Sequence, residues 1–367
     1  MDLRYWLAEA RSGTIRSEAP LSQVRQLTSR FGGGPCRVTL DGASMVNLDG
    51  SVSLPAIEAL RDISRAGRAS LVVTQGTRTV GEWLIWTPGD VSWDGSMPLA
   101  GMEWDGYPKF RSLNDNYIYK NVRQGTILHD LLADAFTSYQ SMVEFTVPAW
   151  TFGPSRSMDH KSHTGYYQDL LDELEDPDDG VQWRVVPTVS WSGGRAVSVT
   201  RTVTAASPRL TRSVDERLWW DRGRGNLIDF PAPGVDFSRY AQSLYGWGAG
   251  EGTKQRWVGL SDPTLTNAGH LIVTKNVSFP GTTDVSTLTA LTRGALTDAQ
   301  TLADPIRATV EADGISSIPR VGDRLPVKIA PCAPWPDGLD SHFQVGEVAL
   351  SPDGNRLAQI GLLARED

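Results

Sequence analysis

Short stretches rich in β-branched and aromatic residues, separated by turn residues, occupy both ends of this 367-residue chain, and the apolar period lengthens to three-four spacing only inside it. Such a layout allows a β-rich fold with a few inserted helices. At the N-terminal end, Arg4 to Ala10 turns at Ser12-Gly13 into Thr14-Ile15-Arg16, and Arg37 to Asp41 follows the Gly32-Gly33-Gly34-Pro35 breaker. Ser70 to Thr74 then turns at Gly76-Thr77-Arg78 into Thr79 to Trp86, and Val91 to Trp93 and Met97 to Trp104 continue the pattern. A short helix is expected after Ser53 and Pro55, with Ile57, Leu60 and Ile63 on one face.

The middle reads differently. Leu128, Leu131, Leu132, Ala135, Phe136 and Tyr139 predict a helix capped by Thr126. Tyr167, Leu170, Leu171 and Leu174 predict a second, from near Thr164 to the stop at Glu175-Asp176-Pro177. A strand pair follows, Val181 to Val186 and Ala196 to Thr200, around Gly193-Gly194. A third helix is expected from the N-cap Asp284, burying Leu288, Leu291, Ala295, Ala299 and Leu302. Closing strands are expected at Ile306 to Val310, Arg324 to Ile329 and Gln344 to Leu350, the last turning through Ser351-Pro352-Asp353-Gly354-Asn355 into Arg356 to Leu363. The fold class is therefore β-rich α+β, with two barrel-like β domains enclosing α+β middle domains. The expected division is 1–113, an N-terminal β-barrel-like domain; 114–224, α+β; 225–283, a Gly/Pro/aromatic-rich connecting β region; and 284–367, a helix plus a C-terminal β-barrel-like domain.

Charge narrows the function classes. The formal net charge is −8, with 12 basic and 12 acidic residues in 1–113, 12 and 15 in 114–224, and 11 and 16 in 225–367. A nucleic-acid-gripping surface needs clustered Lys and Arg, and no third of the chain has the excess. No apolar run approaches the ~20 residues of a membrane helix, and the first residues lack a signal-peptide core, so synthesis and folding in a cytoplasm are expected. Cys36 and Cys332 have no metal spacing and are expected to stay reduced.

No cluster of residues selects a chemistry. His160 and His163 lack a third ligand and read as solvated histidines in a loop. Asp169, Asp172, Glu173, Glu175, Asp176, Asp178 and Asp179 lack the twelve-residue calcium loop and read as a solvated helix end and turn. The glycines of Tyr245 to Gly252 suggest a phosphate cradle, but Thr253 to Trp257 reads as a strand where a helix is required, so the run reads as a bend between strands. Catalytic, cofactor-binding and metal residues are accordingly expected to be none, and the chain is not expected to be an enzyme. Most of the 13 tryptophans read as core; Trp219, Trp220 and Trp247, in less regular sequence, are the better candidates for glycan stacking, although packing or subunit contact is the expected role for them too.

Taken in order, the segments "Leu-Val-Val-Thr-Gln-Gly" to "Gly-Glu-Trp-Leu-Ile-Trp", "Leu-Ala-Gly-Met-Glu-Trp-Asp-Gly-Tyr" with Arg111, the Leu128 helix, and the Tyr167 helix leading to "Gly-Val-Gln-Trp-Arg-Val" form a series. It continues through "Gly-Asn-Leu-Ile-Asp-Phe", "Asp-Phe-Ser-Arg-Tyr-Ala-Gln-Ser-Leu-Tyr-Gly-Trp-Gly", the Leu288 helix and "Val-Gly-Asp-Arg-Leu-Pro-Val-Lys-Ile". The series resembles a minor tail protein of siphophages infecting actinobacteria, similar to the central hub of phage tails and contractile baseplates. The resemblance implies a homotrimeric ring at the virion tail tip, whose two barrel-like domains per copy adapt the sixfold tail tube to threefold symmetry. The implied partners are the distal tail protein and tube above, and fibres, receptor-binding or other minor tail proteins and the tape measure at the tip. Viral DNA would pass through without specific binding, and assembly would occur in the host cytoplasm. The alternative from another class is a carbohydrate-binding or cell-envelope-hydrolysing protein.

Overall fold

The computed structural model describes residues 3–41, 65, 67–89, 96–137, 143–162, 165–175, 179–231, 241–250, 252–263, 267, 272–300, 306–311, 315, 317–333, 335–350 and 357–363. The expected helix at 53–63, the Val91 to Trp93 strand, Tyr139, His163, Leu302 and the 351–355 turn lie outside them.

The N-terminal region is antiparallel: β1 (Leu3–Glu9), β2 (Ile15–Glu18), β3 (Leu21–Arg30), β4 (Pro35–Leu40), β5 (Ala69–Gln75), β6 (Arg78–Pro88) and β7 (Met97–Glu103) pair in the order β3-β4-β7-β6-β5-β1-β2. Period-two alternation decides the faces. Leu7, Leu71, Val73, Trp83 and Ile85 enter one core, while Trp6, Ala8 and Val72 point to the opposite face and pack against Val189, Ala196 and Val199. Both faces are covered, which is why β5 is buried along most of its length.

A 3-10 helix (Trp104–Phe110) leads into β8 (Tyr117–Arg123), α1 (Gln124–Thr137), β9 (Ser155–His160), α2 (Tyr167–Glu175), β10 (Gln182–Ser192) and β11 (Arg195–Ala206). α1 begins before the expected cap. Gln124 and Gly125 donate their N–H groups to the carbonyls of Pro154 and Phe152 at 3.0 Å each, so a neighbouring chain segment satisfies donors that a side-chain cap would otherwise take. α2 starts after Tyr166, whose N–H donates to the Asp169 carboxylate at 2.8 Å. Leu128, Leu131, Leu132 and Phe136 of α1 and Tyr167, Leu170, Leu171 and Leu174 of α2 form a second core with Trp104, Trp183, Val185 and Val203.

Short strands β12 (Arg212–Ser213), β13 (Leu218–Asp221), β14 (Arg224–Gly225) and β15 (Leu227–Asp229) precede a separate three-stranded sheet of β16 (Ser243–Trp247), β17 (Trp257–Ser261) and β18 (Thr274–Ser278). Helix α3 (Val285–Gln300) starts where expected, the Asp284 carboxylate accepting from the Thr287 N–H at 2.8 Å and from the Ser286 hydroxyl. It packs on β16 and β17, so the boundary expected at 284 parts a helix from the sheet it covers. Of the expected stripe, Leu288 and Leu291 are buried and Ala295 and Ala299 half-buried, joined by Leu296.

β19 (Ile306–Glu311), β20 (Asp323–Ile329), β21 (Leu339–Leu350) and β22 (Leu357–Leu363) return to the first sheet. β21 pairs β20 through Leu339 to Gln344, then β22 on one side and β3 on the other, with Glu347 opposite Arg30 and Leu350 opposite Leu27. The expected N- and C-terminal β regions are thus parts of one 15-stranded sheet and share a core in which Leu27, Cys36 and Trp83 join Leu325, Val345 and Ile360. Cys36 and Cys332 are both free, and burial pushes the Cys36 thiol up to about 12.

Candidate functional site

The β10–β11 hairpin meets the N-terminal sheet through the apolar cluster of Trp6, Ala8, Val72, Val189, Ala196 and Val199, and beside it through buried charge. Glu82 on β6 and Arg201 on β11 are fully buried. Arg201 donates from Nε to Oε2 at 2.9 Å and from Nη2 to Oε1 at 2.6 Å, and the Ser70 hydroxyl donates to the same carboxylate at 2.5 Å. The guanidinium also lies over the Trp104 ring, 4.7 Å from its centroid. A second pair crosses the same junction. The Glu103 carboxylate accepts from the Arg30 and Gly34 N–H groups at 3.0 Å, while Arg184 reaches it at 3.4 Å and donates to Ser29 Oγ and the Val321 carbonyl at 3.2 Å. Beside it, Asp105 accepts from the Val185 N–H at 2.6 Å, and burial raises its pKa to about 7 against the opposing pull of Arg184. Buried pairs of this kind add little net stability over an apolar replacement, yet they are costly to break singly, so they fix the hairpin in one register. The backbone seals the junction. Gly13 takes φ +67°, and its carbonyl accepts from the Val199 N–H at 2.8 Å in a position where any Cβ would lie 2.1 Å from the Val199 oxygen.

These charged residues were not singled out in the sequence, although a signal existed. Arg201 alternates with Val199 and Val203, and all three face inward.

The residues that were singled out are scattered. His160 ends β9 and is no loop residue: its Nε2 lies 2.8 Å from Glu173 Oε2 on α2. The pair joins a strand and a helix, and the bond to Glu173 raises the imidazole pKa against the opposing effect of burial, with Asp159 and Asp169 adding to the rise. A group whose folded-state pKa is raised contributes its full stabilisation below the unfolded value of about 6.5 and loses it as pH climbs through the folded value. His160→Gln is therefore expected to lower thermal stability at pH ~5.5 by about 1 kcal/mol or less, the scale of a partly exposed pair, and to match the parent at pH ~9. Melting curves at the two pH values check the sign.

Among the described residues no group of three or more His, Cys, Asp or Glu side chains has metal-binding geometry. Asp169 caps α2, Asp172 accepts from Gln168 at 2.5 Å and Glu175 accepts from Trp183 Nε1 at 2.6 Å, so these carboxylates serve the helix and its neighbours. Asp179 pairs with Arg156.

The glycine-rich run does bend between two strands, β16 and β17, as expected. Thr253 to Arg256 is not strand, however: a 3-10 turn occupies Gly252–Lys254 and β17 begins at Trp257. Gly246 has a packing role, since a Cβ there would lie 1.9 Å from Thr292 Oγ1 and push α3 off the sheet. The opposite face of this sheet is exposed and carries Tyr245, Trp247 and Trp257, with Trp247 Nε1 donating to Asn276 Oδ1 at 3.1 Å. Trp220 packs on the core beside Phe230, at 5.3 Å between ring centroids. Trp219 is exposed and lines a surface depression of about 400 Å³ with Arg217, Asp221 and Lys328. Trp219 is thus presented to solvent, while Trp220, which lines the same depression, and Trp247, on a separate sheet, are both half-buried.

No protein-family model matches the sequence, and no curated protein matches it. The fold does match solved structures along nearly the whole of both chains. The tail protein from Neisseria meningitidis MC58 superposes with a TM-score of 0.58 at 16% identity, covering 98% of this chain and 96% of that one. The 43 kDa tail protein of prophage MuSo2 from Shewanella oneidensis gives 0.57 at 13% identity, covering 99% and 97%. Prophage tail protein gp18 from Listeria monocytogenes EGD-e gives 0.53 at 11% identity, covering 99% and 95%. The chain has the fold of these tail proteins.

Proposed function

We propose that this chain is a structural protein of a phage tail, acting as the hub at the tail tip. The observation that supports it is the end-to-end fold likeness to three tail proteins, in which neither partner has a large unmatched part. In this reading three copies form a ring beneath the tail tube, and the strands contributed by the two ends of each chain supply the two tube-like units that relate sixfold to threefold symmetry. The ring lines the exit path of the DNA and anchors fibres or receptor-binding proteins, and it carries no catalytic activity. The acidic balance, −8 overall, suits a wall that phosphates must pass without adhering.

Gold-labelled antibody against the protein, applied to purified virions under the electron microscope, is expected to mark only the tail tip, and native mass of the purified protein is expected to give a trimer. Label along the whole tail, or none on the particle, would overturn the hub assignment. A second reading, glycan binding, draws on the face that presents the exposed Tyr245 and Trp257 with the half-buried Trp247 beside Trp257 and becomes the one to pursue if the particle is unlabelled.

A further inference from the structure

A cleft of about 260 Å³ opens where β6, the β10–β11 hairpin and the turn before β20 meet. Its walls are mostly apolar, including Val80, Val186, Pro187 and Leu210, but Arg212 and Arg320 enter it with Asp323 as the carboxylate between them. Asp323 is fully committed. Arg212 donates to it from Nε at 3.1 Å and from Nη2 at 3.4 Å, and the Arg320 N–H donates at 2.8 Å. The Arg320 guanidinium donates from Nη2 to the Thr79 carbonyl at 2.6 Å, and its Nε and Nη1 have no acceptor among the described residues. Arg184, on the same wall, is already held by Glu103.

Cationic charge therefore exceeds anionic charge in a cleft where Arg212 is exposed and Arg320 half-buried, so that free guanidinium N–H groups are within reach of an incoming anion. Burial first, and then repulsion by Arg78 and Arg212 against the pull of Asp323, lowers the Arg320 pKa to about 10. Burial lowers Arg78 as well, with Asp323 and Glu216 opposing and Arg212 adding to the fall.

We propose that this cleft binds a carboxylate or phosphate group, gripped by Arg320 and Arg212, with a short apolar body against Val186, Pro187 and Leu210. The volume admits a small molecule or one acidic side chain of a neighbouring chain and is below that of ordinary cofactor pockets. The inference stands apart from the hub assignment, since it rests on the cleft alone.

Calorimetric titration of the full-length protein with succinate and, separately, inorganic phosphate, at ionic strength held constant with chloride, tests it. Saturable binding is expected for at least one of the two, weakened about tenfold or more by Arg320→Gln and by Arg212→Gln, which is about 1.4 kcal/mol or more. Arg320→Lys, which keeps the charge and loses the planar fork, is expected to bind with intermediate affinity. Circular dichroism confirms that each variant is folded. Loss of self-association in the Arg320→Gln protein, reproduced in the parent by excess succinate, identifies the anion as an acidic side chain of a neighbouring copy; unchanged self-association with retained succinate or phosphate binding in the parent identifies a free ligand. No binding above the chloride control, or equal binding by the folded glutamine variants, overturns the proposal.

Discussion

Arg201→Met is expected to destabilise the protein by about 3–5 kcal/mol, the cost of leaving a buried carboxylate without its partner. Glu82 would then face only the Ser70 hydroxyl in a site that water does not reach. At about 2–4 °C per kcal/mol for a chain of a few hundred residues, the melting temperature should fall by roughly 10 °C. Glu82→Leu alone should cost a similar amount, for Arg201 would be the orphan. The double variant Glu82→Leu/Arg201→Met should recover most of the loss, because apolar groups of similar volume substitute well for a buried pair. A thermal double-mutant cycle measures the coupling directly. If the two single losses simply add, the pair is not what holds β11 on the N-terminal sheet.

Trp83→Ala should cost about as much for a different reason. Trp83 is among the largest fully buried side chains, stands in the core common to both ends of the chain, and donates from Nε1 to the Thr28 carbonyl at 2.9 Å. Truncation empties the volume of an indole from a close-packed interior, for about 3–5 kcal/mol. Trp83→Phe keeps most of the ring and loses the donor, leaving the Thr28 carbonyl unsatisfied at about 1–3 kcal/mol. Denaturant midpoints of the two variants should therefore rank Ala well below Phe; equal midpoints would mean that the hydrogen bond, and not the filled volume, supplies the stability.

The hairpins β5–β6 and β10–β11 were legible because β-branched and aromatic residues crowd both arms around glycine turns. β3 was not. Its pairing with β4 slips at Leu21/Gln23 and again at Val24/Gln26, so its buried residues fall out of the two-residue period and the segment reads as polar. β9 was missed for a related reason: in Ser-Arg-Ser-Met-Asp-His only Met158 is buried, and pairing with β8 rather than side-chain pattern makes it a strand. The helices were legible from their apolar stripes, but the start of α1 was not, since the groups that satisfy its first N–H donors come from residues 152 and 154. The charge pairs of the junction and the arginines of the cleft escaped notice because each partner comes from a distant part of the chain, as Arg201 and Glu82 or Arg212 and Asp323 do. Sequence spacing carries local chemistry, and this molecule's charged chemistry is assembled by topology.

The pairing of β21 with β3 also has a temporal meaning. β3 is made long before β21, the strand that completes one of its edges. During synthesis the N-terminal sheet must keep that row of backbone donors and acceptors available while everything between is translated, a state prone to pairing with the wrong chain. Contacts so distant in sequence also slow folding. Synthesis of β21 would then be the step that commits each copy to its native shape.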